Sequence, residues 1–462
     1  MIKFLRHIVI TLIVTFSTTA HVAAQSLLRD AETEAFFREV SYPVFRAAGL
    51  TPQSVHMYLL GDKSINAFVT GGQNIFFHSG LILAADDVDE FMGVLAHETC
   101  HISCGHRISR GDAATTAGAF SILSLVLGAA AIALGGGDAG IGILAAGQTV
   151  AQRQFLAYTR GQESEADLAG SRYLEAVGVS PTGMIRFFDK LRDQEILAQI
   201  RQDPYVRSHP LNRTRILQLQ QTASGSPYFN TPPNRYTNER FKRLQAKLGG
   251  YLDPPRQTLR KYPITDTSIA ARYARVYAYN KALEWDLALA EADALIEAEP
   301  NNPYFYEIKG QILFENGRIS ESVPIFEQAV RLAPREPLIA TALGQALVSF
   351  EDSERMEQAL PILEEATRLD RTNTFAWFNL AKAYSWLERQ PEASLATAER
   401  FYSGGAAAQA LSHARRAMDG FDEGTPQWIR AQDIFIAAEE AASKQQRRRG
   451  RRRITTSFGE LP

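Results

Sequence analysis

The sequence predicts an α+β protein, with a mainly helical domain that contains a small β-sheet, followed by an all-α solenoid of tetratricopeptide repeats. Three observations predict this arrangement. Apolar residues recur mostly at helical spacing, one β-type pattern surrounds Gly71 and Gly72, and small and large residues recur 34 positions apart in the second half. The 462 residues also exceed the roughly 250 to 300 at which a single core stops growing, so we expect at least two domains.

The charge of the chain is nearly balanced, with 49 basic residues, 51 acidic residues and a net charge of −2. Domains that bind nucleic acids usually carry a strongly basic surface. We therefore predict no nucleic-acid partner.

The first residues have the layout of a secretory signal peptide. Lys3 and Arg6 precede an apolar run over residues 8–16, and small residues precede a plausible cleavage site after Ala24. An uncleaved membrane anchor is the alternative, but the run is shorter than the about 20 residues that a span needs. We assign residues 1–24 to the signal peptide and expect the mature chain to be exported.

Two β runs and a helix follow. The stretch 65–83 reads as a hairpin, because Phe68 and Val69 precede the two glycines and an apolar run follows them. From residue 87 to 109 the apolar positions recur at helical spacing.

Residues 113–148 are almost free of charge and rich in alanine and glycine. They could form a buried hairpin, a cover over a site, or an element that touches a membrane. Each apolar half is shorter than a membrane span and GGGD interrupts them, which favours a buried or covering hairpin.

A second helix is predicted over residues 161–178, and Gly178 ends it. Residues 224–263 are richer in proline, asparagine and tyrosine, which indicates a domain junction. We assign the first domain to residues 25–225 and a linker to 226–268.

The repeats occupy residues 269–440. Gly310 and Gly344 lie 34 residues apart, which is the length of one tetratricopeptide unit. Other positions that fit the repeat pattern are Ala288, Pro300, Tyr306, Phe326, Ala329, Pro334, Ala359, Leu363, Ala366, Trp377, Ala381, Tyr384 and Ala393. Residues 441–462 contain two runs of three arginines, so we predict a basic disordered tail that is either solvated or bound to anionic lipid.

Cys100 and Cys104 are the only cysteines, and both lie in the first predicted helix. At a spacing of four residues on a helix, their side chains are expected to point poorly for an unstrained bridge. We therefore predict that they are packing thiols.

His97 and His101 are four residues apart, so a helix presents both on one face toward a single tetrahedral zinc ion. Zinc polarises a carbonyl and activates water, and the carboxylate of Glu98 can act as the general base. This spacing suits hydrolysis of an amide bond.

A zinc site of this kind needs a third ligand, and Glu163 is the candidate. Its helix presents Asp167 one turn later, where that carboxylate can accept a hydrogen bond from a ligand histidine. A solvated acidic helix start is the alternative explanation for this segment. His209 precedes a proline in a turn, from where it could reach the open metal position or stabilise an oxyanion, and a turn histidine at the surface is the alternative. His78 and His106 are expected at the surface or behind the ligands.

Four motifs together resemble the peptidase family of HtpX and the CAAX prenyl proteases. They are HETCH at 97–101, ESEAD at 163–167, the segment from His209 to Arg215, and NAFVTGGQNIFFHSGLI at 66–82. With a signal peptide in front and repeats behind, the chain resembles the periplasmic BepA-type members of that family.

The resemblance implies a zincin-type metalloprotease domain that binds one zinc ion per chain. It implies that His97, His101 and Glu163 are the ligands, that Glu98 is the general base, and that His209 approaches the zinc. It further implies that Asp167 and Arg215 support the site. The substrate backbone would add to the strand formed by Asn66, Ala67, Phe68 and Val69.

The implied function is that of a periplasmic zinc endopeptidase with chaperone activity, which acts on unfolded or stalled outer-membrane proteins. The assembly machinery of the outer membrane would be a partner through the repeats, and residues 113–148 or the arginine tail would touch the membrane. One alternative is a repeat-based chaperone or scaffold with a latent metal site. Another is an integral membrane protease, which would need spanning helices.

Overall fold

A computed structural model describes residues 27–106, 159–197, 209–210 and 213–457. The predicted signal peptide and the whole of the 113–148 segment lie outside these residues. Among the helices that the structure describes, none is both long and apolar enough to cross a membrane.

The first domain contains a four-stranded sheet in the order β1-β2-β4-β3. The strands are β1 (Leu27–Leu28), β2 (His56–Leu60), β3 (Ala67–Thr70) and β4 (Asn74–His78). β2 and β4 are parallel, and the other two pairs are antiparallel. The predicted hairpin is β3–β4, and both Gly71 and Gly72 have the positive φ that its turn requires. After His78, however, the chain enters a helix instead of continuing the strand.

Among the described residues before 224, six helices accompany this sheet. They are α1 (Ala31–Ala47), α2 (Ser79–Ala84), α3 (Val88–Ser103), α4 (159–176), α5 (Thr182–Leu197) and α6 (Arg213–Ala223). A short 3-10 turn, Pro52–Ser54, precedes β2. Helix α3 begins where the side chain of Asp87 accepts a hydrogen bond from the backbone of Glu90. The rings of Phe37, Phe77 and Phe91 then anchor α3 to α1 and the sheet.

The predicted linker over 226–268 is wrong, because most of it is helical. Helices α7 (Arg235–Leu252) and α8 (Pro255–Lys261) occupy it, and Phe241, Leu244 and Leu248 of α7 join the core of the first domain. Two of the residues that suggested a linker begin helices. Asn234 caps α7, and Pro255 opens α8.

The second half is a run of ten helices within the described residues, and each contacts the next along the chain. They are α9 (Ile269–Lys281), α10 (Trp285–Ala298), α11 (Pro303–Glu315), α12 (Ile319–Leu332), α13 (Pro337–Val348), α14 (Ser353–Leu369), α15 (Thr374–Trp386), α16 (Gln390–Ser403), α17 (Ala407–Gly420) and α18 (Pro426–Ser457). A Cβ on Gly310 would lie 2.8 Å from the ring of Phe326, and one on Gly344 would lie 2.4 Å from Leu363. The repeating glycines therefore mark where the two helices of a unit touch.

The prediction of a disordered tail from residue 441 is also wrong for most of its length. Helix α18 continues to Ser457. Its alanine, glutamate, lysine, glutamine and arginine residues all have high helix propensity, and that preference extends through the arginine runs.

Ion pairs join the first domain to the repeats, and their basic partners lie just before α1 and on it. Arg29 lies 2.7 Å from Asp370, and Arg38 lies 2.8 Å from Glu336. Behind them, Lys247 of α7 is buried 2.5 Å from the carboxylate of Asp30. Burial opposes the charge of Lys247, but Asp30 holds its pKa well above the usual range. The first domain and the solenoid therefore share one charged junction.

We expect Gly93→Ala to destabilise the first domain by about 1 to 3 kcal/mol through overpacking. A Cβ at this position on α3 would lie 2.6 Å from the Cα of Met184 on α5, so one backbone must move. Chemical denaturation measures the loss. Gly161→Ala is the matched control, since nothing lies within 4 Å of its Cβ position. Equal stability of the two variants would contradict this packing.

Candidate metal centre

Helix α3 carries the two histidines to the interior of the first domain. His97 is fully buried, His101 is 5% exposed, and their Nε2 atoms are 3.1 Å apart. The four-residue spacing thus produces the shared face that the sequence predicted.

Helix α4 brings Glu163 to the same point. Its Oε2 atom lies 3.4 Å from Nε2 of His97, and its Oε1 atom lies 3.7 Å from Nε2 of His101. This approach depends on Gly170, because a Cβ there would lie 3.1 Å from the backbone nitrogen of His97. A larger residue would separate α4 from α3 and draw the carboxylate away.

His209 completes the group. Its Nδ1 atom lies 2.9 Å from Oε2 of Glu163 and 3.2 Å from Nε2 of His97, and its Nε2 atom lies 3.4 Å from Oε1 of Glu98. His97, His101, Glu163 and His209 each offer one ligand atom, and these atoms all lie within 4.8 Å of one another. The structure thus brings His209 together with the residues predicted as ligands and with the predicted base.

The donor set fits a metal ion. Two neutral imidazoles and one carboxylate form a ligand set that zinc prefers in hydrolytic sites. The buried carboxylates of Glu98 and Glu163 also need a positive charge nearby, which a metal ion would supply. Without an ion, protons must serve instead. Burial lowers the pKa of His97, but its hydrogen bonds to Asp167 and Glu163 raise it to about 9. Likewise, burial opposes ionisation of Glu163, whereas His209 holds its pKa well below the usual range.

Asp167 and Arg215 lie behind His97, as the sequence predicted. Oδ1 of Asp167 is 3.0 Å from Nδ1 of His97, and Arg215 donates two hydrogen bonds of 2.8 Å to the same carboxylate. Burial opposes ionisation of Asp167, yet the hydrogen bonds from His97 and Arg215 keep its pKa below the usual range. An ionised Asp167 requires a proton on Nδ1 of His97, which leaves Nε2 to face the ligand group.

His106 supports His101 in the same way, so of the two places that the sequence left open for it, it takes the one behind the ligands. It is buried, and its Nδ1 atom lies 2.9 Å from Nδ1 of His101. Its Nε2 atom lies 3.2 Å from the carboxylate of Glu165. The sequence places His106 only five residues after His101. The helix ends at Ser103, however, so helical spacing does not predict where the ring of His106 lies relative to that of His101.

The cysteine prediction is wrong. Cys100 and Cys104 form a disulfide, and their Cα atoms are 5.2 Å apart. This separation lies within the range of about 4.4 to 6.8 Å that disulfides span, so one helical turn does not prevent the bond.

The predicted substrate strand lies next to helix α3, which carries His97 and His101. β3 is at one end of the described sheet and contacts α3. Ala67 is buried, Phe68 and Val69 are half-buried, and Asn66 precedes the strand. His78 is buried 2.9 Å from the hydroxyl of Ser64 and does not join the ligand group.

Each half of the chain is similar to a known protein family. Residues 9–223 match the model of peptidase family M48, and residues 303–336 match a tetratricopeptide repeat. The beta-barrel assembly-enhancing protease of Escherichia coli K12 is 25% identical over 370 residues, which are 77% of this chain and 73% of that one. The protein of the same name from Yersinia pestis is 24% identical over 365 residues, with the same shares. Among solved structures, the tetratricopeptide protein YrrB is 18% identical with a TM-score of 0.29, over 42% of this chain and 98% of that one. That likeness is too distant to support an argument.

The fold and the site define a metalloprotease domain followed by a helical repeat domain. More narrowly, the chain carries a peptidase family M48 domain and a tetratricopeptide-repeat region, and it is homologous to the beta-barrel assembly-enhancing protease of Escherichia coli.

We expect metal binding to weaken about tenfold for each pH unit below 9, because the metal must displace one proton from His97. Calorimetric titration in two buffers of different ionisation enthalpy measures the released proton. Asp167→Asn removes the hydrogen bond that raises the pKa of His97 most. In that variant, metal binding should therefore begin to weaken only at a lower pH. An affinity that is constant between pH 7 and 9 would contradict this assignment.

Proposed function

We propose that the chain is a zinc-dependent endopeptidase of the periplasm, with chaperone activity, that acts in the assembly and quality control of outer-membrane proteins. The observation that carries the proposal is the buried group of His97, His101 and Glu163, with Glu98 next to the first ligand. The relatives named as beta-barrel assembly-enhancing proteases support the cellular role. The signal-peptide pattern supports the location.

In this proposal one zinc ion per chain is held by His97, His101 and Glu163. Bound there, zinc would polarise the scissile carbonyl and activate water. Glu98 would accept the proton of the attacking water and pass it to the leaving amine. Its carboxylate is fully buried beside the ligands, in surroundings that exclude bulk solvent.

His209 would keep the site closed until a substrate enters. Its ring lies between the carboxylates of Glu98 and Glu163, where the base and the substrate carbonyl must meet. Displaced from the metal, the same ring could donate a hydrogen bond to the oxyanion. Asp167 and Arg215 would hold His97 in the tautomer that binds the metal.

A second candidate is a repeat-based chaperone or scaffold whose metal site is latent. The position of His209 within the ligand group favours it, because a fourth protein ligand would leave no room for substrate. In both cases the solenoid would bind unfolded outer-membrane proteins or components of their assembly machinery. Membrane contact through 113–148 or the arginine tail stays a prediction.

Glu98→Gln should lower the rate of cleavage of an unfolded outer-membrane β-barrel protein by at least about 100-fold, because it removes the general base. The zinc content should stay at one per chain, since Glu98 is not a ligand in this proposal. Glu239→Gln changes an exposed carboxylate on α7 and is the control. Undiminished cleavage by the Glu98→Gln variant would refute the catalytic proposal. If neither Glu98→Gln nor the Glu239→Gln control cleaves the substrate, the result favours the latent metal site.

Asn66, Ala67, Phe68 and Val69 are proposed to receive the substrate backbone. A photoreactive phenylalanine analogue at position 68, placed in the Glu98→Gln chain, should cross-link to an unfolded β-barrel protein, because β3 lies beside α3. The same analogue at position 236 on α7, where Tyr236 is 67% exposed, is the control. Equal cross-linking at both positions would contradict a specific substrate strand.

A further inference from the structure

The disulfide between Cys100 and Cys104 lies beside a third metal-binding side chain. The sulfur atoms and one ring nitrogen of His106 all lie within 4.8 Å of one another. These residues are separate from the group of His97, His101, Glu163 and His209. Two sulfurs and one imidazole are a set that zinc and other thiophilic metals prefer.

We propose that reduction of the Cys100–Cys104 disulfide creates a second metal site, in which both thiolates and His106 bind one thiophilic divalent ion. The proposal concerns metal binding and stands whether or not the chain cleaves peptides.

The reduction needs a dithiol as co-reactant. One thiolate of the dithiol attacks the sulfur of Cys104, which is half-buried, and the sulfur of Cys100 leaves. The second thiol of the reagent then resolves the mixed disulfide. Two electrons pass from the dithiol to the protein, the reagent becomes a cyclic disulfide, and two protein thiols result. A divalent ion displaces one proton from each when it binds.

The helix supplies the spacing that such a site requires. The Cα atoms of the two cysteines are 5.2 Å apart, one turn of α3 from each other. Two thiolates on one tetrahedral zinc, with bonds of about 2.3 Å, lie about 3.8 Å apart, and side chains one helical turn apart can reach this distance by rotation after reduction. The same helix already presents His97 and His101 at the same spacing, with their Nε2 atoms 3.1 Å apart.

The surroundings favour a bound ion. Cys100 is fully buried, and it packs with Ala166, Ala169 and Tyr173 on the neighbouring helix α4. His106 is held in place by the amide of Gln162, which donates a 3.1 Å hydrogen bond to its backbone carbonyl. The ligands are therefore largely positioned before the ion arrives.

The two metal sites must oppose each other, because they compete for His106. When Nε2 of His101 binds a metal, its Nδ1 carries the proton and donates to Nδ1 of His106, 2.9 Å away. If a second ion binds Nδ1 of His106, that acceptor is lost. If the ion binds Nε2 of His106 instead, Nδ1 of His106 carries a proton, and the Nδ1–H groups of His101 and His106 face each other as two donors. Either way, an ion in the second site removes the hydrogen bond that orients His101 and so lowers the metal affinity of the first site. By linkage, an ion in the first site lowers the metal affinity of the second site by the same factor.

The test uses Co²⁺ as the probe and the full chain, freed of metal. In the oxidised chain we expect one Co²⁺ per chain and no sulfur-to-cobalt charge-transfer band. After reduction with a dithiol and removal of the reagent under argon, we expect two titratable thiols, two Co²⁺ per chain and the charge-transfer band. The Co²⁺ at the first site should also be extracted by a chelator at least tenfold more readily once the second is filled.

Two variants sharpen the result. Cys100→Ser with Cys104→Ser should bind one Co²⁺ without the band under both conditions. His106→Ala should keep two titratable thiols but bind the second Co²⁺ at least tenfold more weakly. A reduced chain with two thiols that binds a single Co²⁺ without the band would overturn the proposal. Failure of the dithiol to release thiols from the folded chain would overturn it equally.

Discussion

The close crossing of α3 by α4 and α5 is the constraint on which the rest of the first domain depends. Gly93 lets α3 approach the backbone of Met184, and Gly170 lets α4 approach the backbone of His97. These contacts leave no room for a side chain, so direct contact with the neighbouring backbone sets how closely the helices approach. That precision matters because Glu163 must reach the two imidazoles from a different helix.

Charge balance follows from this crossing. It buries carboxylates and imidazoles together, where an unpaired charge is expensive. Asp167 pairs with Arg215 and His97, while Glu163 lies among histidines. The supporting groups therefore do two things at once. They satisfy buried charges, and they select the ring nitrogens that face the ligand group.

The charged junction connects this centre to the solenoid through α1 and α7. The buried Lys247 pairs there with the half-buried Asp30, and α7 also packs into the core of the first domain. A truncation within 226–268 would therefore remove part of the first domain itself. The repeats are built on that domain and are not attached by a flexible segment.

The sequence by itself determined the features that depend on helical periodicity. His97 and His101 share a face because a helix has 3.6 residues per turn, and Gly310 and Gly344 recur because each repeat has the same helix contact. The candidates Glu163, Asp167, His209 and Arg215 came from motifs. Only the tertiary structure decided how residues distant along the chain meet. It placed α7 in the core of the first domain and brought Glu163 and His209 to the histidines of α3, since packing between elements, and not local spacing, controls those contacts.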